Sequence, residues 1–259
     1  MNIHKEVFGT GEDIVIIHGG LANDEDMLPI VEHLSNRYRV TNVSLPGNGK
    51  TKWNDTIKTV HDEANTILPE LPEKATYIGW SKGGLVIQSI AINHPHRIKH
   101  LIGIGTTPKF IEADNWIGVQ KPGFMNIVRE VLKDPNATVH TFLNGAANAE
   151  FANFNPKPNK YQQILNNITN RSDIPKNVIE TLISIVDNTD LRQEFKNISC
   201  PIDLIMGSDD PNVPTHGCEQ IKTLNTLVNI HKINGAKHAP FWTHPKEFNQ
   251  ILDEILAIH

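Results

Sequence analysis

The chain has 259 residues, of which 39% are hydrophobic and 20% are charged, and its formal net charge is −5. These values predict one large globular α/β domain with room for an insertion, and they exclude a disordered chain. The acidic balance excludes a nucleic-acid surface, which needs a basic stripe. No stretch approaches the roughly 18 apolar residues of a membrane span, and the first residues lack the apolar core of a signal peptide.

Cysteine usage indicates a reducing compartment. The two cysteines, Cys200 and Cys218, form no CxxC motif, which argues against a disulfide framework and against a cysteine zinc site. The histidines show no HExxH spacing. We therefore expect a cytoplasmic protein that uses no metal and no cofactor and that contacts neither nucleic acid nor membrane. We also expect a monomer.

Apolar, β-branched runs alternate with helical patterns over residues 1–105. The predicted strands are Ile14–Ile17, Arg39–Val43, Ala75–Ile78 and Leu101–Ile104, and the predicted helices are Asp26–Leu34, Thr59–Leu68 and Leu85–Ile92. Strand patterns return at Ile202–Met206 and within Thr226–Ile233, and Phe248–Ile258 is predicted to be a closing helix. Such alternation is typical of a mostly parallel sheet with helices on both faces.

The middle of the chain shows helical patterns without a convincing buried strand. The predicted helices are Phe124–Leu132, Ala137–Leu143, Lys160–Ile168 and Asn177–Val186. We interpret residues 109–188 as a helical cap over the C-terminal edge of the sheet. The core then consists of residues 1–108 and 189–259.

A glycine-rich turn around Ser81 joins a predicted strand to a predicted helix. The residues are Gly79, Trp80, Ser81, Lys82, Gly83 and Gly84. A Gly-x-Ser-x-Gly pattern in this context predicts the nucleophile elbow of an α/β-hydrolase, in which the turn exposes the serine hydroxyl. Glycines leave space for so sharp a turn.

A nucleophilic serine needs a base and an orienting carboxylate, which follow it in the order acid, then histidine. Asp209 and Asp210 both lie in the loop after the Ile202–Met206 strand. Asp210 has the spacing Gly-x-x-Asp-x-x-Val-Pro that is usual for the acid, whereas Asp209 also suits a turn residue. His238 follows the last predicted strand, where the base belongs.

The oxyanion hole requires two backbone N–H donors. One should come from Lys82, directly after the nucleophile, and the other from Gly20 in the His18-Gly19-Gly20 turn after the first apolar strand. The alternative for Gly20 is a simple turn glycine.

These motifs resemble those of the pimeloyl-[acyl-carrier protein] methyl ester esterases of biotin synthesis. The resemblance rests on the motifs His18-Gly19, Leu45-Pro46-Gly47, Gly79-Trp80-Ser81, His94-Pro95, Asp190-Leu191-Arg192, Val213-Pro214 and His238-Ala239-Pro240-Phe241. It implies hydrolysis of the methyl ester on an acyl chain carried by acyl carrier protein, with Ser81, Asp210 and His238 as the catalytic residues. The implied substrate contacts are Gly20, Ser81, Lys82, His238 and the cap residues Phe142, Leu143, Asn144, Gly145 and Ala146.

The chain departs from the family pattern at the pocket and on the cap. The family commonly has leucine where Lys82 stands and tryptophan where Gly20 stands. If the Lys82 ammonium faces the pocket, this chain should favour a more acidic or more polar substrate end. The family binds the acidic carrier protein through arginines on the cap, and this cap contains fewer arginines. The candidate docking cations here are Lys133, Lys157, Lys160 and Arg171. The alternative is that these are ordinary solvated charges.

Three other functions compete with this one. The first keeps the chemistry and changes the substrate, as in a general short-chain carboxylesterase or thioesterase. The second is a non-catalytic binding protein on the same scaffold, against which an intact Ser/Asp/His set argues. The third is a cofactor-free haloperoxidase-like side activity, which the same triad can support.

Overall fold

A single seven-stranded sheet forms the centre of the protein. The computed structural model describes residues 2–119, 130, 133–134, 138–170 and 174–257. The strands are β1 (Lys5–Phe8), β2 (Asp13–Ile17), β3 (Arg39–Val43), β4 (Ala75–Trp80), β5 (Ile98–Ile104), β6 (Ile202–Gly207) and β7 (Val228–Ile233). Their order across the sheet is β1-β3-β2-β4-β5-β6-β7, and only the β1–β3 pair is antiparallel.

The central strands are buried on both faces because their side chains are almost all apolar. Their register pairs Ile17 with Gly79 and Gly79 with Gly103. The carboxyl ends of β2, β4 and β5 therefore finish side by side, so the loops that follow them meet at one edge of the sheet.

Helices cover both faces of the sheet. The α-helices of the core are α1 (Leu28–Leu34), α2 (Val60–Ile67), α3 (Lys82–Asn93), α7 (Arg192–Phe195), α8 (Cys218–Leu224), α9 (Pro240–Thr243) and α10 (Pro245–Ala257). The helix expected from Asp26 begins as a 3₁₀ turn at Asp24–Met27 and continues as α1, whose first turn contains a proline. Among the described residues, no helix combines the length and the apolarity that a membrane crossing needs.

The described residues of the segment predicted to form a cap, between β5 and β6, contain three helices. They are α4 (Val139–Glu150), α5 (Asn159–Asn170) and α6 (Lys176–Asn188). Isolated bridges join Ile111 to Val119 and Ala113 to Trp116 ahead of these helices. The helix expected at Phe124–Leu132 falls almost wholly outside the described residues, and the domain boundaries at residues 109 and 188 stay a prediction.

The two ends of this segment are joined to each other. The Leu191 N–H donates to the carbonyl of Pro108 at 3.0 Å. Asp190 binds Arg192 through two hydrogen bonds of 2.8 Å and lies 3.2 Å from the Lys109 ammonium. The hydrogen bonds from Arg192, with help from Lys109, hold the pKa of Asp190 well below its usual value. The chain thus leaves the sheet and returns to it at one point.

Candidate active site

Ser81 occupies the turn between β4 and α3 in a strained conformation. Its φ of 53° and ψ of −119° lie outside the regions that L-residues normally adopt. The Ser81 N–H donates to the carbonyl of Ile104 at 2.8 Å, and the Ser81 carbonyl accepts from the Gly84 N–H at 2.9 Å. These bonds hold the residue at the carboxyl edge of the sheet, as the elbow motif predicts.

The glycines of the motif allow this turn to pack against neighbouring backbone. A Cβ atom on Gly83 would lie 2.4 Å from the carbonyl oxygen of Ile17. A Cβ atom on Gly79 would lie 2.6 Å from the carbonyl oxygen of Gly83. No side chain fits at such distances, so the elbow can close only with glycine at both positions.

Asp210 and His238 form a buried hydrogen-bonded pair. The His238 Nδ1 lies 2.9 Å from Asp210 Oδ2 and 3.1 Å from Oδ1. The backbone N–H groups of Asn212 and Val213 also donate to Asp210 Oδ1, at 2.7 and 3.1 Å. A carboxylate that accepts these bonds requires hydrogen on Nδ1 of the histidine, which leaves Nε2 as the basic nitrogen.

The pKa of His238 is raised above its usual value. Burial alone lowers this pKa, but the negative charge of Asp210 and its hydrogen bond outweigh the effect of burial, and Glu150 adds to them. The pair is therefore arranged to stabilise an imidazolium.

Asp209, the other candidate acid, lies elsewhere. Its side chain is exposed and accepts a hydrogen bond from the Ser208 hydroxyl at 2.7 Å. Of the two aspartates, Asp210 is the one that the structure brings to His238.

A cavity of about 570 Å³ brings the predicted site residues together, within the size range of small-molecule sites. Ser81 and His238 line it with Gly20 and Lys82. The cap contributes to the wall Thr141, Phe142, Leu143, Gly145, Ala146, Ala147, Ala149, Glu150, Ile168, Leu182 and Val186. Asn144, which was predicted with its neighbours, does not line the cavity.

Comparison with known proteins decides the family. A family model described as alpha/beta hydrolase fold matches residues 14–245. The chain belongs to this α/β-hydrolase family. The predicted fold class is confirmed, and the remaining features of the site are those of a hydrolase.

Curated relatives match the hydrolase over nearly its whole length. A protein named pimeloyl-[acyl-carrier protein] methyl ester esterase from Legionella pneumophila (strain Corby) is 29% identical, covering 99% of this chain and 100% of that protein. Proteins of the same name from Vibrio campbellii and Aeromonas hydrophila subsp. hydrophila are 29% and 28% identical, covering 95% and 99% of this chain and 95% and 100% of their own lengths. The resemblance seen in the motifs is confirmed, as is the prediction of a carboxylic ester hydrolase.

Solved structures show the same fold at lower identity. An esterase from Exiguobacterium antarcticum superposes with a TM-score of 0.84 at 22% identity, covering 98% of this chain and 95% of that chain. A bromoperoxidase from Bacillus anthracis gives a TM-score of 0.84 at 21% identity with the same coverage. These likenesses support the architecture of the hydrolase and its cap.

Two residues without a role in the predicted triad lie against His238 in the hydrolase. The Trp80 indole N–H donates to the His238 carbonyl at 2.9 Å. A Cβ atom on Gly105 would lie 3.1 Å from His238 Nδ1 and 3.2 Å from Asp210 Oδ2. The sequence signals for these contacts are the tryptophan next to Ser81 and the glycine directly after strand β5.

His18 of the His-Gly motif is a buried structural residue. Its Nε2 accepts a hydrogen bond from the Leu45 N–H at 2.9 Å, and its Nδ1 lies 2.8 Å from the Gly19 carbonyl. A backbone N–H can only donate, so the ring carries its single hydrogen on Nδ1. Burial lowers the pKa of His18 to about 4, and the neutral ring braces the loop that contains Gly20.

The hypothesis that the Lys82 ammonium faces the pocket is wrong. The Lys82 Nζ lies 2.5 Å from Glu63 Oε1 on α2, and the two side chains are 1% and 0% exposed. The charge is neutralised inside the core, because α2 packs against α3. Lys82 therefore offers the cavity its backbone rather than a cation.

The predicted docking cations lie in different settings. Lys157 donates to the Phe151 carbonyl and lies over the Tyr161 ring, so its ammonium is already bonded within the cap. Lys133 is paired with Glu130 at 2.6 Å, and Lys160 is exposed on α5. The remaining candidate, Arg171, lies outside the described residues.

One group in the described residues could surround a cation. His4, Glu6 and Asp24 place ligand atoms within 4.8 Å of one another, and none of the three lines the cavity that contains Ser81. The Lys50 ammonium lies 3.6 Å from Glu6 and already supplies positive charge there. We assign no metal role to this group.

Proposed function

We propose that this protein is a serine hydrolase that cleaves the methyl ester of pimeloyl-acyl carrier protein to release methanol. The observation that carries the chemistry is the His238–Asp210 pair, whose histidine lines one cavity together with Ser81. The substrate is inferred from the relatives that share this name over nearly the full chain.

In the proposed reaction, Ser81 attacks the ester carbonyl while His238 Nε2 takes the serine proton. The tetrahedral intermediate collapses as the imidazolium gives that proton to the departing methoxide, so methanol leaves and an acyl-serine forms. His238 then activates water to release the acid and the free serine. Asp210 keeps the imidazole in the required tautomer and stabilises its charged form.

Backbone N–H groups stabilise the oxyanion. Lys82 is the first residue of α3, so its N–H has no partner within the helix, and both Lys82 and Gly20 line the cavity beside Ser81. The positive end of the α3 dipole adds to their effect. In this proposal, each donor contributes about 3 kcal/mol of transition-state stabilisation.

The cavity wall suits an acyl chain. Apart from the catalytic residues and a few polar groups, it consists of apolar side chains from the core and the cap, such as Leu21, Phe110, Phe142 and Leu182. Burial of such a chain is favourable at about 0.8 kcal/mol per CH₂ group. We propose that the acyl chain lies under the cap with its ester at Ser81.

The proposed partner is acyl carrier protein, met by exposed cap cations such as Lys160. Electrostatic attraction of an acidic carrier would mainly increase the rate of association. We also propose a cytoplasmic location, which the free thiols of Cys200 and Cys218 support.

Complementation tests the proposal most directly. A biotin auxotroph that lacks its own methyl ester esterase should grow without biotin when it expresses this protein, and it should not grow with the Ser81→Ala variant. The purified protein should release methanol from pimeloyl-acyl carrier protein methyl ester. Hydrolysis of small esters without either result would instead favour the general carboxylesterase or thioesterase.

A further inference from the structure

The C-terminal end of cap helix α4 is bonded to the loop that carries His238. Glu150, the last residue of α4, accepts the His238 N–H at Oε1 (3.1 Å) and the Ala239 N–H at Oε2 (3.3 Å). The Lys237 ammonium donates to the carbonyl of Ala149 at 2.6 Å. Two adjacent cap residues thus hold three consecutive residues of the catalytic loop.

The contacts of Glu150 suit its ionised form. Both carboxylate oxygens accept from backbone N–H groups, which can only donate, and such bonds stabilise a carboxylate more than a neutral carboxyl group. The pKa of Glu150 is nevertheless raised, because burial, together with the Asp210 charge, outweighs the His238 charge and the two N–H bonds that lower it. Glu150 also lines the cavity that contains Ser81, so its side chain borders the same space as the imidazole.

We propose that Glu150 is a positioning residue that fixes the backbone of His238 from the cap and supplies a second negative charge for the imidazolium. The inference rests on the proposed hydrolase function and adds a role for the cap in completing the catalytic site. His238 is thus held by Asp210, which belongs to the core, and by Glu150, which belongs to the cap.

The charges around the imidazole come from several elements. Asp210 projects from the loop after β6 and Glu150 from α4, and these are the two carboxylates that raise the His238 pKa. The Lys237 ammonium beside them is bonded to Ala149. Asp26 and Lys82 line the same cavity, and Lys82 is neutralised by Glu63.

The test compares Glu150→Gln with Lys237→Met. The first variant keeps the side-chain volume and removes the charge, and the second removes the other bond between the same segments. Both are assayed with p-nitrophenyl butyrate across pH, and the His238 ring is titrated by NMR with His238→Gln as the assignment control.

Loss of the Glu150 charge should lower the His238 pKa by about 0.5 to 1 unit, because the imidazolium loses a stabilising neighbour. The acid limb of kcat/KM should move to lower pH by the same amount. At the plateau, kcat should fall by about tenfold with little change in KM, since the lost charge acts in the transition state. Lys237→Met should leave the limb in place.

An unchanged acid limb and an unchanged His238 titration in Glu150→Gln would overturn the proposal, as would equal shifts in Lys237→Met. If Glu150→Gln does not fold, Glu150→Asp takes its place. This variant keeps the charge, so the acid limb should stay at the wild-type pH while kcat falls. An acid limb displaced as far as in Glu150→Ala would refute the role of the Glu150 charge. The NMR titration needs no turnover, so it separates failure of this inference from failure of the proposed function.

Discussion

The ammonium of Lys82, the residue after Ser81, and the carboxylate of Glu63 form an ion pair that solvent does not reach. Their closest atoms lie 2.5 Å apart. The other carboxylate oxygen of Glu63, Oε2, is buried and has no hydrogen-bond partner among the residues that the structure describes. Burying each charge has a desolvation cost that is offset only by its attraction to the opposite charge, so removing either residue leaves the other buried without compensation.

Glu63→Gln should therefore destabilise the fold by about 3 kcal/mol, because it leaves a buried ammonium without its counter-charge. Urea unfolding followed by circular dichroism measures the effect. The double variant Glu63→Leu with Lys82→Met removes both charges and should recover most of this loss. A single variant as stable as the wild type would contradict the account of the pair.

Ser81→Ala should abolish ester hydrolysis, with turnover reduced on the order of 10⁴- to 10⁶-fold, because no nucleophile remains. The thermal unfolding midpoint should stay near the wild-type value, and labelling by a fluorophosphonate probe should disappear. Ser89→Ala is the matched control: Ser89 contacts His61 Nδ1 at 2.7 Å but does not line the cavity. If Ser89→Ala abolished activity and Ser81→Ala did not, Ser81 would not be the nucleophile.

Asp210→Asn should reduce kcat by about 10⁴-fold, because an amide favours the wrong histidine tautomer and does not stabilise the imidazolium. Asp209→Asn changes an exposed carboxylate one position away and should leave kcat close to the wild-type value. Steady-state kinetics on a small ester separate the two. Equal losses would mean that the loop geometry, and not the Asp210 charge, is what matters.

Stability should fall as the pH is lowered from about 6.5 to about 4, in part because of His18, whose pKa is lowered to about 4 by burial. Between these pH values His18 is protonated in the unfolded chain but stays neutral in the native protein, so lowering the pH favours unfolding. The contribution of His18 is on the order of 3 kcal/mol.

Urea unfolding at several pH values measures this slope. In His18→Asn the free energy of unfolding should fall less steeply with decreasing pH over the same range. His216→Asn, which changes an exposed histidine, should show the wild-type pH dependence. A His18 variant with an undiminished slope would show that other groups cause the decline.

Lys160→Glu should raise KM for carrier-bound substrate several-fold more than KM for a small ester, because it repels an acidic carrier. Lys74→Glu introduces the same charge change just before β4, at the opposite edge of the sheet, and should have little effect. Kinetics with both substrates at low salt provide the comparison. Identical changes for the two substrates would remove Lys160 from the docking surface.

The parts of the site that were predictable are those determined by chain order and local turns. Ser81 was predicted because glycines flank it between a strand and a helix, and His238 because it follows the last strand. Asp210 was preferred to Asp209 on spacing, and the structure brings Asp210 to the histidine. Each of these follows from rules that operate within a few residues.

The parts that were not predictable depend on long-range packing. Glu150 meets the His238 loop 88 positions later in the chain, and no local pattern indicates such a contact. The direction of the Lys82 side chain was misjudged because the position of α2 relative to α3 decides it. Strand β1 was missed because it is short, partly exposed and antiparallel at the edge of the sheet.

The joint at Pro108 and Leu191 bears on how such a hydrolase can evolve. The inserted segment leaves the sheet at Pro108 and returns at Leu191, and one backbone hydrogen bond joins these two residues. Asp190 beside them binds both Lys109 and Arg192. The cost of closing a loop grows only slowly with its length, so the sheet tolerates inserted segments of different sizes at this joint. The inserted segment can therefore be replaced there while the strands that precede Ser81, Asp210 and His238 keep their register, so that substrate range can change without change to these three residues.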